Sequence, residues 1–141
     1  MQMSKVLFAA GIQLLACVAL GSTSHAFDLN GAWTTTPDVC DKVFAKTGNT
    51  ISFRRDSDLY GDGFIVDENV IVAPQGKCTI KTKREEVSTM QIEASCSSEI
   101  MVDQERFNVK VVNDDTILRI FPSIQGSGGI EASFNRCKFK P

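Results

Sequence analysis

Imidazole is almost absent from this chain: of 141 residues, one is a histidine, His25. The mature protein is expected to lack even that one. Met1 to Ala26 has the layout of an export signal: Lys5 precedes an apolar run from Val6 to Leu20, and Ser24-His25-Ala26 supplies the small residues behind which a signal peptidase cuts. A chain running from Phe27 to Pro141 cannot support Ser-His-Asp or Cys-His catalysis, nor a zinc site built on histidine. Cys-x-x-Cys and Ser-x-x-Lys motifs are missing too, which removes dithiol redox chemistry and a lysine-activated serine. Beyond Leu20 no apolar stretch approaches the roughly 20 residues needed to cross a bilayer. A basic surplus is also lacking. Without Lys5 the chain holds 14 basic against 17 acidic residues, a charge of about −3, which argues against a nucleic-acid partner. The residues name no catalytic group, metal ligand or cofactor, and the chain reads as non-enzymatic.

Removing the leader leaves roughly 115 residues, one domain with a single modest core. That domain, 27–141, keeps Cys40, Cys78, Cys96 and Cys137 out of five cysteines. An even set in an exported chain of this size reads as two disulfides, and a periplasmic or secreted location is expected. Leu14-Leu15-Ala16-Cys17 leaves an alternative, a lipobox whose Cys17 would be lipidated and anchored to a membrane. Val18-Ala19-Leu20 prolongs the apolar run past Cys17 and favours the ordinary site after Ala26.

From Thr50 onward the pattern is strands and turns. Candidate strands are Thr50 to Arg55, Gly63 to Val66, Asn69 to Ala73, Lys77 to Arg84, Val87 to Cys96, Arg106 to Val112, Thr116 to Phe121 and Ile130 to Phe139, with an extended piece at Ala32 to Thr36. Turn residues separate them, among them Gly61-Asp62-Gly63, Pro74-Gln75-Gly76 and Asn113-Asp114-Asp115. One short N-terminal helix is predicted, capped by Thr36, with Pro37 at its first position, running through Phe44 until Gly48 stops it. Hairpin-length connections predict an all-β fold: a small antiparallel up-and-down barrel of about eight strands, with a two-sheet sandwich as the alternative.

Four cysteines allow three connectivities, and register discriminates among them. Pairing Cys78 with Cys96 sets Ile80 opposite Ala94, Thr82 opposite Ile92 and Arg84 opposite Met90. That register gathers the apolar side chains on one face and turns Lys77, Thr79, Lys81, Lys83, Gln91 and Glu93 to the other. The predicted bridges are therefore Cys78–Cys96 and Cys40–Cys137. Ile80, Met90, Ile92, Phe107, Val109 and Phe134 are read as core.

Three segments invite a ligand reading. Asp56 to Asp67 partly follows a calcium loop, but Tyr60 replaces an acid or amide and no bidentate glutamate closes it, so a polar hairpin tip is expected. Gly126-Ser127-Gly128-Gly129 lacks the Lys-Ser/Thr of a phosphate loop and reads as a mobile turn that could present itself to a partner. Lys77, Lys81 and Lys83, with Arg84, form a basic strand face of the kind that guards a sheet edge.

Asp28-Leu29-Asn30-Gly31-Ala32-Trp33 resembles the Gly-x-Trp opening of lipocalins and related calycin-type barrels, and Arg136 in Phe134-Asn135-Arg136-Cys137 stands where those families place a last-strand arginine. The resemblance implies that Arg136 stacks on Trp33 and closes one barrel end. Small periplasmic protease-inhibitor barrels share the opening. Uncharacterised exported proteins of alphaproteobacteria are similar in their Phe-Asp-Leu start and Cys-x-Lys-Val-Phe helix. The middle lipocalin motifs are absent and the domain is short for a lipocalin, which predicts little room inside. The leading expectation is therefore a monomeric binding protein of the periplasm, a protein-binding or inhibitory module. The alternatives are a carrier of a small hydrophobic ligand and a structural envelope protein.

Overall fold

Side chains alternate between buried and exposed from Thr89 to Ala94, and with period two a strand must turn one edge of its pleat to a core and the other to water. The computed structural model describes residues 25–122 and 129–140. Most of the predicted leader, Cys17 included, lies outside the described residues. The strands are β1 (Gly31–Thr34), β2 (Phe44–Thr47), β3 (Thr50–Phe53), β4 (Gly63–Asp67), β5 (Val70–Ala73), β6 (Gly76–Glu86), β7 (Thr89–Ser97), β8 (Val102–Asn113), β9 (Thr116–Phe121) and β10 (Ile130–Arg136). Eight of them close an antiparallel barrel in the order β1-β10-β9-β8-β7-β6-β5-β4. From β5 to β10 each strand pairs with its predecessor, and β1 joins β4 to β10, so the barrel has no open edge.

The two remaining strands correct the sequence reading. The helix lies not at the N-terminus but after β1: a 3-10 turn at Pro37–Val39 leads into a single α-helical turn, α1 (Cys40–Val43). It ends at Val43, because Phe44 is drawn into β2 and packs on Phe53 of β3 at 5.1 Å between ring centroids. Gly48, read as a helix stop, has a φ of +60° at the first central position of the two-residue β2–β3 turn, where a type II′ hairpin needs glycine. The segment predicted as Thr50 to Arg55 thus belongs to this separate hairpin rather than to the barrel. Asp56 to Gly63 is not a hairpin tip either. Ser57–Tyr60 is a 3-10 turn that carries the chain into β4.

Two clusters result. Inside the barrel, Leu29, Trp33, Val66, Met90, Ile92, Val109, Ile117 and Phe134 are buried together. Outside it, α1 and the β2–β3 hairpin lie on the opposite face of the wall, where Val43 and Phe44 cover Ala32, Ile65 and Cys137. This explains why Phe64-Ile65-Val66 is a continuous apolar run, since this part of β4 is covered on both faces. At Gly63 a Cβ would meet Trp33 O and Phe44 Cζ, each at 2.9 Å, so the hairpin docks there only over a glycine.

Both bridges form as predicted, Cys40–Cys137 and Cys78–Cys96. The register holds from Cys78/Cys96 to Ile80/Ala94 and then slips by one at a bulge between Ile80 and Thr82, so that Thr82 faces Glu93, Lys83 faces Ile92 and Glu85 faces Met90. The cause lies in β6 itself: from Lys81 to Glu86 every side chain is polar, and no hydrophobic pattern holds the register. The slip breaks up the expected basic face. Directly opposed residues share a face, so Lys83 lies on the side of Ile92 and pairs with Glu85 at 3.2 Å. On the outer face, hydrogen bonds from Arg106 and Thr82 hold the Glu93 carboxyl below the usual range.

The β6–β7 turn carries a misfit. Val87 is fully exposed and has a φ of +42°, a left-handed conformation that a β-branched residue occupies at a cost of about 1–2 kcal/mol. Val87→Gly is expected to raise the unfolding free energy by about 1 kcal/mol, as read from the midpoint of a urea transition at unchanged slope. A lowered midpoint would show that Val87 makes contacts the turn needs.

Candidate functional site

The two ends of the barrel differ. At one end lie the β4–β5, β6–β7 and β8–β9 turns, with the start of β1 and the end of β10. Here Trp33 is fully buried, its indole N–H donates to Leu29 O at 2.9 Å, and Phe64, its partner across β4, stacks on it at 6.4 Å. Arg136 is the partner of Trp33 across β10, and its guanidinium lies 4.3 Å from the indole centroid. Three of its nitrogens donate to backbone carbonyls: Nε to Asp114 O at 3.0 Å, Nη2 to Asp28 O at 2.6 Å, and Nη1 to Asn30 O. Phe27 extends the lid, and its backbone N–H donates to Glu85 Oε2 at 3.3 Å. The structure thus brings Trp33 and Arg136 together as a plug.

The other end, where the β5–β6 and β7–β8 connections, the end of β9, the start of β10 and the entry to β4 lie, leads into a cavity of about 590 Å³. Its floor and walls are apolar, with Leu29 and Ile117 deepest and Phe64, Ile71, Ile92 and Phe107 above them. Of the residues read as core, Met90, Ile92, Val109 and Phe134 are buried, while Ile80 and Phe107 are partly exposed against the same cluster. The volume, which includes the mouth, falls within the ordinary range of small-molecule pockets. Polar groups gather at the mouth: Asp58, Asp62, Lys77, Asp103 and Glu105. The Cys78–Cys96 bridge also lines it and fixes β6 to β7 there.

Arg119 is the residue that sequence reasoning passed over. It stands at the middle of β9, between buried Ile117 and Phe121, and lines the cavity with its guanidinium 4.6 Å from the Phe107 centroid and 4.4 Å from that of Phe121. Burial lowers its pKa from the ordinary arginine value, and the negative charge of Glu105 opposes that shift. Among the described residues it makes no side-chain hydrogen bond, and no carboxylate lies within 4 Å of it. The signal was a charge at an inward position of Ile117-Leu118-Arg119-Ile120-Phe121, a strand otherwise wholly apolar.

β9 ends and β10 begins at this open end. Gly126, Ser127 and Gly128 lie outside the described residues, and Gly129 packs so close to β9 that a Cβ there would meet Phe121 O at 2.3 Å. The calcium reading finds no support, since among the described residues no three His, Cys, Asp or Glu side chains converge as a metal site requires. No described helix is long and apolar enough to cross a membrane. Comparison of the chain with protein-family models, with curated proteins and with solved structures finds no match in any of the three.

Proposed function

We propose that this protein is a non-enzymatic carrier or sensor of a small, largely apolar ligand held inside the barrel. One observation carries the reading: an apolar cavity of about 590 Å³ that is plugged at one end and open at the other. A core that served only stability would be close-packed, with few voids larger than a water molecule. The two disulfides are compatible with an oxidising, extracytoplasmic setting, where a rigid barrel would hold such a ligand away from water.

The test is titration of the refolded, ligand-free protein with N-phenyl-1-naphthylamine, a neutral apolar fluorophore. Saturable one-to-one binding with a Kd on the order of 10 μM is expected. Ile71→Trp, which fills the cavity wall, should weaken it at least tenfold with the fold intact. Absence of binding by the wild type, or equal binding by the variant, would defeat the carrier reading.

A protein-binding or inhibitory role keeps a second place on a specific feature. Ile100, Met101 and Val102, in and next to the β7–β8 loop, and Leu59 are exposed at or near the open end. In that case Leu59→Ser with Ile100→Ser would abolish a partner complex and leave the fluorophore affinity unchanged.

A further inference from the structure

We infer that the ligand carries one anionic group, of the carboxylate class, on an apolar chain, and that Arg119 receives it inside the barrel; this rests on the cavity being a ligand site. The argument begins with guanidinium geometry. Phe107 and Phe121 approach Arg119 at 4.6 and 4.4 Å and use the flat faces of the group through the ring quadrupole. The N–H donors lie in the guanidinium plane, so stacking satisfies none of them. In a cavity lined by Phe64, Ile71, Ile92 and Ile117 a partly buried guanidinium with no partner among the described residues favours an incoming acceptor, and a planar anion is the group that takes two of its donors at once.

Position strengthens the case. Arg119 is opposite Val109 on one side and Ala132 on the other, one inward step above Ile117. An anion bound there leaves its chain in contact with the apolar floor. Lys77, the other cation of the lining, lies on the second residue of β6, at the mouth. The described acids nearest the path, Asp103 and Glu105, are exposed, and the connection 123–128 contains no carboxylate in its sequence. The negative charge of Glu105 acts on Arg119. It competes with an incoming anion and sets the strength of the site.

The experiment compares decanoate with decan-1-ol, the same chain without the charge, by calorimetric titration of the oxidised, full-length domain. The wild type is expected to bind the acid at least tenfold more tightly. Arg119→Met should erase that preference, weakening decanoate tenfold or more while decan-1-ol binds as before. Glu105→Gln should tighten decanoate severalfold and leave the alcohol unchanged, which keeps the inference testable if Arg119→Met fails to fold. Equal wild-type affinity for acid and alcohol, or an acid preference that survives Arg119→Met, would overturn the anion assignment and leave the carrier reading standing. Failure of both compounds and of the neutral fluorophore to bind would bring down both.

Discussion

Replacing Cys40 and Cys137 together by alanine is expected to lower the free energy of unfolding by about 4 kcal/mol, the largest effect of any change discussed for this protein. The bridge joins positions 97 residues apart, and its loss restores nearly the whole chain's freedom to the unfolded state. The same change at Cys78 and Cys96, 18 residues apart, should cost about 3 kcal/mol, since loop entropy grows only with the logarithm of loop length. The native contributions differ in the same direction. Cys137 is buried beside Ala32 and ties α1 to the end of β10, whereas Cys78 and Cys96 already face each other across a paired ladder. Urea unfolding followed through Trp33 measures both, and a larger loss from the Cys78–Cys96 change would contradict the ranking.

Arg136→Ala should cost about 3 kcal/mol. The side chain is one-fifth exposed, lies on the indole of Trp33, and donates to the carbonyls of Asp114, Asp28 and Asn30. Charge-assisted hydrogen bonds of this kind contribute about 1.5–3 kcal/mol each before solvent screening and mutual dependence reduce the sum. Arg136→Lys should recover less than half of the loss, because a single ammonium cannot reach three divergent carbonyls while also covering the ring. Trp33 emission should shift to the red in the alanine variant as water reaches the indole. A stability change below about 0.5 kcal/mol would show that the barrel end is held by β-pairing alone.

Much of this architecture was legible in the residues, for identifiable reasons. Alternation placed β7 and β8, a pair of facing cysteines fixed the β6–β7 register at one end, and the Trp33–Arg136 plug followed from the resemblance. What escaped depended on contacts remote in sequence. Helical spacing from Pro37 to Phe44 is real, but Phe53 and the close approach over Gly63 decide that Phe44 extends. The bulge after Ile80 arises where Lys81 to Glu86 offer no apolar signal. The N-terminal half of β8, Val102 to Glu105, is mostly exposed and polar, so the strand was read from Arg106 and the two acids at the cavity mouth went unnoticed. Arg119 was visible as a charge in an apolar strand. Its meaning required knowing which face of β9 turns inward, and only the closed sheet supplies that.

The placing of the long bridge has a temporal side. Of the four bridged cysteines a chain made from its N-terminus presents Cys40 first, and its native partner is the last to be synthesised, 97 residues later. Before then Cys78 and Cys96 both become available to it, and capture of Cys40 by either would pin α1 to the wrong part of the nascent wall. The adjacent β6–β7 hairpin sets these two competitors face to face, so closure of the short bridge before the long one is the expected order. In that order the short bridge would leave Cys137 as the one partner for Cys40 among the four.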